Sequence, residues 1–193
     1  MVDIKLIVGL GNPGQQYDKT RHNAGFLFLD GLAQDYHADF LPSSKMHGLL
    51  AKIEQPGAGG VWLLKPSTFM NLSGQSVGAL VRFYQLQPEQ ILVVHDELDF
   101  DAGTVKLKKG GGHGGHNGLR DIIAHLHSRD FYRLRLGIGH PGSREQVIQY
   151  VLEKPSKVDL HSIENAINQA MVVMPDLLKG DIEMATKRLH SPV

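Results

Sequence analysis

Two hydrophobic periods interleave along this chain, and that interleaving limits the folds open to it more than any other feature. Short apolar runs at residues 4–8, 49–53, 61–64 and 91–94 read as strands, the first and last as buried ones. Helical stripes separate them: Phe26, Leu29, Leu32, Ala33 and Tyr36, then Val77, Leu80, Val81 and Tyr84. Leu119, Ile122, Ile123 and Leu126 mark a third helix, and Ile163, Ala166, Ile167, Ala170 and Met171 a long fourth. Two further segments alternate with period two. Val105 and Leu107 oppose Lys106 and Lys108, while Tyr132, Leu134, Leu136 and Ile138 oppose Arg133 and Arg135. Each should bury one face and leave the other wet. Strands interleaved with helices predict an α/β fold on a mixed sheet. With no internal repeat and no long linker in 193 residues, one domain over residues 1–193 is expected.

The most specific local feature is Gly110-Gly111-Gly112-His113-Gly114-Gly115-His116-Asn117-Gly118, entered from Lys106, Lys108 and Lys109 and opening onto a helix. Dense glycine lets a backbone turn through positive φ and approach a ligand without Cβ obstruction. A helix N-terminus adds free N–H donors and partial positive charge. Together they point to a phosphorylated ligand. A flexible turn is the alternative, although linkers are normally Ser and Gly without His and Asn. Net charge is zero, with 20 basic and 20 acidic residues, so the chain is no bulk polyanion binder. Residues 102–150 nonetheless carry eight Lys/Arg against three acids, a local patch compatible with nucleic acid held at one place. Solvated surface charge is the plainer alternative.

There are no cysteines, which removes disulfides, thiolate zinc sites and a cysteine nucleophile. No apolar stretch approaches the ~20 residues of a membrane span. No signal-peptide pattern precedes the first strand-like run. A cytoplasmic protein without a membrane partner is expected.

Four more motifs carry possible chemistry. Gly9-Leu10-Gly11-Asn12-Pro13-Gly14 follows the first strand and matches the dinucleotide-binding glycine pattern. The polar stretch at 15–19 delays the helix that should follow at once, and the next strand ends at Glu54, some 40 residues past the motif where the ribose-binding acid is expected after about 20, so that reading is disfavoured. Thr20-Arg21-His22-Asn23-Ala24-Gly25 sets a histidine at a helix start, where it can act as a general base; a surface histidine is the alternative. Pro66-Ser67-Thr68-Phe69-Met70-Asn71-Leu72-Ser73-Gly74 could floor a pocket with an aromatic, a thioether and one amide, or simply cap a helix. His95-Asp96-Glu97-Leu98-Asp99 stands at the C-terminal end of a buried strand, where α/β sites form, and its carboxylate could orient a histidine; an acidic turn is the alternative.

In this order, and with the later Arg133-Leu134-Arg135-Leu136-Gly137-Ile138-Gly139-His140-Pro141-Gly142, the chain closely resembles the bacterial peptidyl-tRNA hydrolases from residue 4 to about residue 190. The resemblance implies a single α/β domain with a twisted mixed β-sheet flanked by helices. It implies a metal-free, cofactor-free, monomeric cytoplasmic esterase that frees tRNA from abandoned peptides. The partner implied is peptidyl-tRNA, through its acceptor stem and 3′ CCA end, with no obligate protein partner. Carried over position by position, His22 would be the base and Asp96 its orienting carboxylate. Asn12, Asn71 and Asn117 would surround the ester and the water. Tyr17, Phe69 and Met70 would line the groove and His116 would sit at its lip. Lys106, Lys108, Arg135 and Arg144 would contact phosphates.

Two rival readings stand beside it. One is a metal-dependent hydrolase using His22, His95, Asp96, His113 and His116, though histidines in a glycine loop are not pre-aimed as they are on a helix. The other is a non-catalytic RNA-binding protein on the same fold, which could dispense with His22 or Asp96. Both residues are present.

Overall fold

Along the chain come β1 (Leu6–Gly9), α1 (Ala24–Asp35), β2 (Leu41–Ser43), β3 (Gly48–Ile53), β4 (Val61–Pro66), α2 (Ser73–Tyr84), β5 (Ile91–Glu97), β6 (Val105–Lys109), α3 (Asn117–Leu126), β7 (Tyr132–Gly137), α4 (Val147–Leu152), α5 (Lys157–Leu178) and α6 (Ile182–His190). The structure, a computed structural model, describes residues 1–55 and 59–191. Of the domain expected over residues 1–193, residues 56–58, 192 and 193 lie outside that description. The strands make one mixed sheet in the order β2-β3-β4-β1-β5-β7-β6. Its centre, β4-β1-β5-β7, is parallel, while β2, β3 and β6 join antiparallel.

The apolar runs are explained by burial on both faces. Ile7, Leu92 and Val94 point into a core closed by α1 and α5, with Ala185 and Leu189 of α6. Leu6, Val8, Ile91 and Val93 point the other way, against Val77 and Leu80 of α2 and Leu119 and Ile122 of α3. The α/β architecture with a mixed sheet between helices is therefore as expected. Among the described residues, no helix is long and apolar enough to cross a membrane.

Two local expectations are corrected, and one strand was not foreseen. The strand read as ending at residue 94 continues to Glu97, because His95 and Asp96 pair with Arg135 and Leu136 of β7. β2, three residues containing Pro42, has no period of its own and exists by pairing Leu41 with Leu50 and Ser43 with Gly48. The alternation in β7 does not leave both arginines wet. Arg135 is half-buried, but Arg133 is 1% exposed. The outer edge of the sheet is closed by the last helix, where His190 Nε2 accepts the Leu107 N–H at 3.0 Å.

One close approach positions the site. A Cβ on Gly25 would lie 2.4 Å from both Leu10 N and Val94 O, and one on Gly9 would lie 2.4 Å from Gly25 O. Two bare backbones thus bring the start of α1, and the turn Arg21–Asn23 before it, onto the C-terminal ends of β1 and β5. Gly112 is the contrast, since a Cβ there meets nothing within 4 Å. In urea titrations, Gly25→Ala should lose at least about 3 kcal/mol, since backbone cannot yield as a side chain does. Gly112→Ala should stay within about 1 kcal/mol of wild type.

Candidate active site

The loops after β1, β4 and β5 and the glycine run before α3 meet at the C-terminal end of the parallel strands, where open α/β sheets form their clefts. At the centre is Asp96, 3% exposed near the end of β5. Its Oδ2 accepts from His22 Nδ1 at 2.9 Å and its Oδ1 from His116 Nε2 at 2.8 Å. The two imidazoles stand 5.0 Å apart, centroid to centroid. His116 Nδ1 in turn accepts the Gly118 and Leu119 N–H groups at the start of α3, at 3.1 and 3.3 Å. With Nδ1 an acceptor, the ring proton of neutral His116 is on Nε2 and is donated to Asp96. His22 gives its Nδ1 proton to the other oxygen, and its Nε2 lone pair has no partner among the described residues.

Electrostatics follow from this sharing. Burial pushes the Asp96 carboxyl up, but the charge and hydrogen bonds of His22 and His116 hold it well below the usual carboxylate range. Burial lowers His22, yet the charge and hydrogen bond of Asp96 outweigh it and leave its pKa above the ordinary histidine value. His95 is different. Burial, with His116 nearby, takes it down to about 3, so it stays neutral, with Nδ1 bonded to Asp96 O at 2.7 Å.

The amides divide into one buried and two exposed. Asn12 is 7% exposed, its backbone N–H donating to Asn23 Oδ1 at 2.8 Å and its carbonyl accepting from Asn23 Nδ2 at 2.9 Å. Its Oδ1 takes the Met70 N–H at 2.7 Å, which fixes the side-chain amide and leaves Nδ2 without a partner among the described residues. Asn71 and Asn117 are exposed at the rim. All three line one cleft of about 300 Å³, together with His22, Asp96, His116, Phe69 and Met70. Its far wall is apolar, made by Val147, Ile148, Val151 and Leu152 of α4. Tyr17 stands edge-on to Phe69 at 6.3 Å, just outside that lining.

His116, expected at the lip, instead sits against the buried carboxylate. Its ring also occupies two of the N–H donors at the start of α3, so that helix end offers an anion less than the glycine run suggested. Asn23 was not singled out, although a second amide directly after His22 was a signal for it. The α4 wall was missed too; its apolar residues recur at i, i+4, but over only six residues. Of the metal-ligand set weighed above, His22, Asp96 and His116 have donor atoms within 4.8 Å of one another. An ion there would have to displace both hydrogen bonds to Asp96.

Beside the cleft lies the basic patch. Register sets Lys106 opposite Arg135 and Lys108 opposite Arg133. Lys106 and Arg135 stand over the Phe100 ring at 5.0 and 4.7 Å, and Arg135 lies 3.7 Å from Glu97. Lys108, Arg133 and Arg135 share a hollow with Gly112 and His113, with Glu97 and Asp99 on its wall. Arg144 stands on a different segment, the exposed turn Arg144–Gln146 that leads into α4.

Comparison with known proteins identifies the family. The family profile described as peptidyl-tRNA hydrolase matches residues 6–193. Peptidyl-tRNA hydrolase of Neisseria meningitidis serogroup A is 56% identical over 188 residues, 97% of each chain. That of Coxiella burnetii is 54% identical over 97% of this chain and 98% of its own. The crystal structure of peptidyl-tRNA hydrolase from Acinetobacter baumannii, 46% identical, superposes with a TM-score of 0.95 over 99% of this chain and 96% of that one. Matched from end to end in sequence and in structure, the chain belongs to the peptidyl-tRNA hydrolase family.

Proposed function

We propose that this chain hydrolyses the ester between a peptide and the 3′-terminal adenosine of tRNA, with His22 activating the attacking water. The observation that carries this reading is the free Nε2 of His22 in the cleft, behind which Asp96 fixes the Nδ1–H tautomer. Water gives a proton to Nε2 and its oxygen adds to the ester carbonyl. The imidazolium is stabilised by Asp96, as in other His–Asp pairs. When the tetrahedral intermediate collapses, the ribose oxygen leaves and takes the proton back from His22. The new peptide acid gives its remaining proton to solvent, and peptide carboxylate and tRNA are released.

The uncharged amides suit the rest of the task. Nδ2 of Asn12, held by Met70 and Asn23, is a preorganised donor for the substrate, and loss of such a donor typically costs on the order of 10²–10³ in rate. Asn71 and Asn117 offer further amide groups to the peptide and terminal nucleotide. Phe69 and Met70, with Tyr17 behind them, face the apolar wall of α4 and suit a peptide of varied side chains. Lys106, Lys108, Arg135 and Arg144 would take phosphates of the acceptor stem and CCA end, which positions a tRNA without reading its sequence. On this reading the protein works as a cytoplasmic monomer, needing neither metal nor protein partner.

Release of tRNA from N-acetyl-aminoacyl-tRNA in the presence of EDTA, beside the free-amine aminoacyl-tRNA, tests the reading directly. Cleavage of the blocked substrate alone is expected. Salt-sensitive tRNA binding without cleavage of either would favour an RNA-binding protein. The rate should rise with pH through a pKa above 6.5, because His22 works as the neutral base and its pKa is raised. Asp96→Asn removes the charge that raises it. In a pH–rate profile of that variant the acid limb should move to lower pH while kcat falls on the order of 10²–10⁴. For Lys106→Ala, Lys108→Ala and Arg135→Ala, the slope of log affinity against log salt should shrink by about one each, with kcat little changed.

A further inference from the structure

Arg133 and Arg135 look equivalent in the sequence, and the structure separates them. Arg133 is the largest fully buried side chain among the described residues. A charge is tolerated inside a protein only when it is paired or hydrogen-bonded. Among the described residues no carboxylate pairs with Arg133. Its two terminal nitrogens donate instead to the carbonyls of Gly112 and Gly111, both at 2.5 Å, and its guanidinium stacks over Phe131 at 4.6 Å. Burial, with Arg135 and Arg129 nearby, lowers its pKa to about 10, so the group remains charged at neutral pH.

The carbonyls it holds belong to a segment with little else to fix it. Gly110, Gly111, Gly114 and Gly115 all have positive φ, and a Cβ at Gly112, Gly114 or Gly115 would meet nothing within 4 Å. Such a segment has much conformational entropy to lose on ordering. It is tied at its start by Gly110 N–H to Phe131 O at 2.9 Å, and at its end by His116 on Asp96. Between those ties, Arg133 is the side chain from the sheet that holds it. Beside Gly114 and Gly115, this segment delivers to the cleft the side chains of His116 and Asn117.

We propose that Arg133 is a positioning residue for hydrolysis: it fixes the glycine loop that presents His116 and Asn117, and leaves phosphate binding to Arg135 and Lys108 beside it. The inference rests on the function proposed above, with Asn117 as a substrate amide and His116 as a partner of Asp96. The experiment compares Arg133→Lys with wild type and Arg135→Ala in three measurements: steady-state hydrolysis of N-acetyl-aminoacyl-tRNA, the salt slope of tRNA binding, and the His116 Nε2–H resonance. For Arg133→Lys, kcat should fall about tenfold to a hundredfold, with KM and salt slope as in wild type and the His116 resonance broadened or lost. Arg135→Ala should do the reverse, raising KM and lowering the slope with kcat unchanged. If Arg133→Lys behaves like Arg135→Ala, or keeps wild-type kcat and an intact His116 resonance, the proposal is wrong. Arg133→Gln, which keeps a donor without the buried charge, serves the same comparison should Arg133→Lys not fold. Failure of wild type to hydrolyse would sink the functional reading instead, and the His116 resonance would still decide whether Arg133 holds the loop.

Discussion

One buried carboxylate organises the rest of the site. An ionised Asp96 removed from water would cost several kcal/mol if left unpartnered. It is met on both oxygens, by a histidine from the turn after β1 and by another at the start of α3. Two segments far apart in sequence are thereby locked to one strand end. The His22 tautomer, the placement of α3 and the closing of the glycine loop all depend on that charge. His95, next to it in sequence, is excluded from the same role because burial keeps it neutral and turns its Nδ1 to a backbone carbonyl.

Much of this is legible in the sequence alone. Period and apolarity located the central strands and the main helices, since burial on both faces writes itself into composition. His22 and Asp96 were each readable as candidates from their own motifs, and the family resemblance is what paired them. Arg133 was not. Its position in an alternating strand predicts solvent, and only the tertiary path of the glycine loop supplies the carbonyls that draw it inside. His116 was placed too shallow for a similar reason: a loop of glycines has no period from which depth can be read. β2 and α4 are too short for periodicity, and β2 exists only through its partner strand.

The glycines after β1 show how a shared pattern can serve another end. In a dinucleotide fold they clear the way for a pyrophosphate and lead straight into a helix. Here Gly9 and Gly25 let strand and helix backbones touch, and a Cβ on Gly11 would lie 2.7 Å from the Phe26 ring. The chain then makes two separate short turns, Gln15–Tyr17 and Arg21–Asn23, before reaching α1 at Ala24. What the pattern clears is packing space behind His22. A non-catalytic RNA binder could share this scaffold and its basic face, but it would have no use for a His22 tautomer fixed with Nε2 turned into the cleft.

The sheet's two margins carry a different implication. An open sheet exposes rows of unpaired N–H and C=O groups at each edge, and such rows can template the addition of a foreign strand. At one edge β2 is three residues long and contains Pro42, which has no N–H to offer. At the other, His190 takes the Leu107 N–H, and exposed Lys106 and Lys109 flank it with positive charge. Neither margin presents a flat, apolar ladder. The seven strands among the described residues are thereby guarded against growing an eighth from a neighbour, and α6, remote from the chemistry, covers part of the edge where one would add.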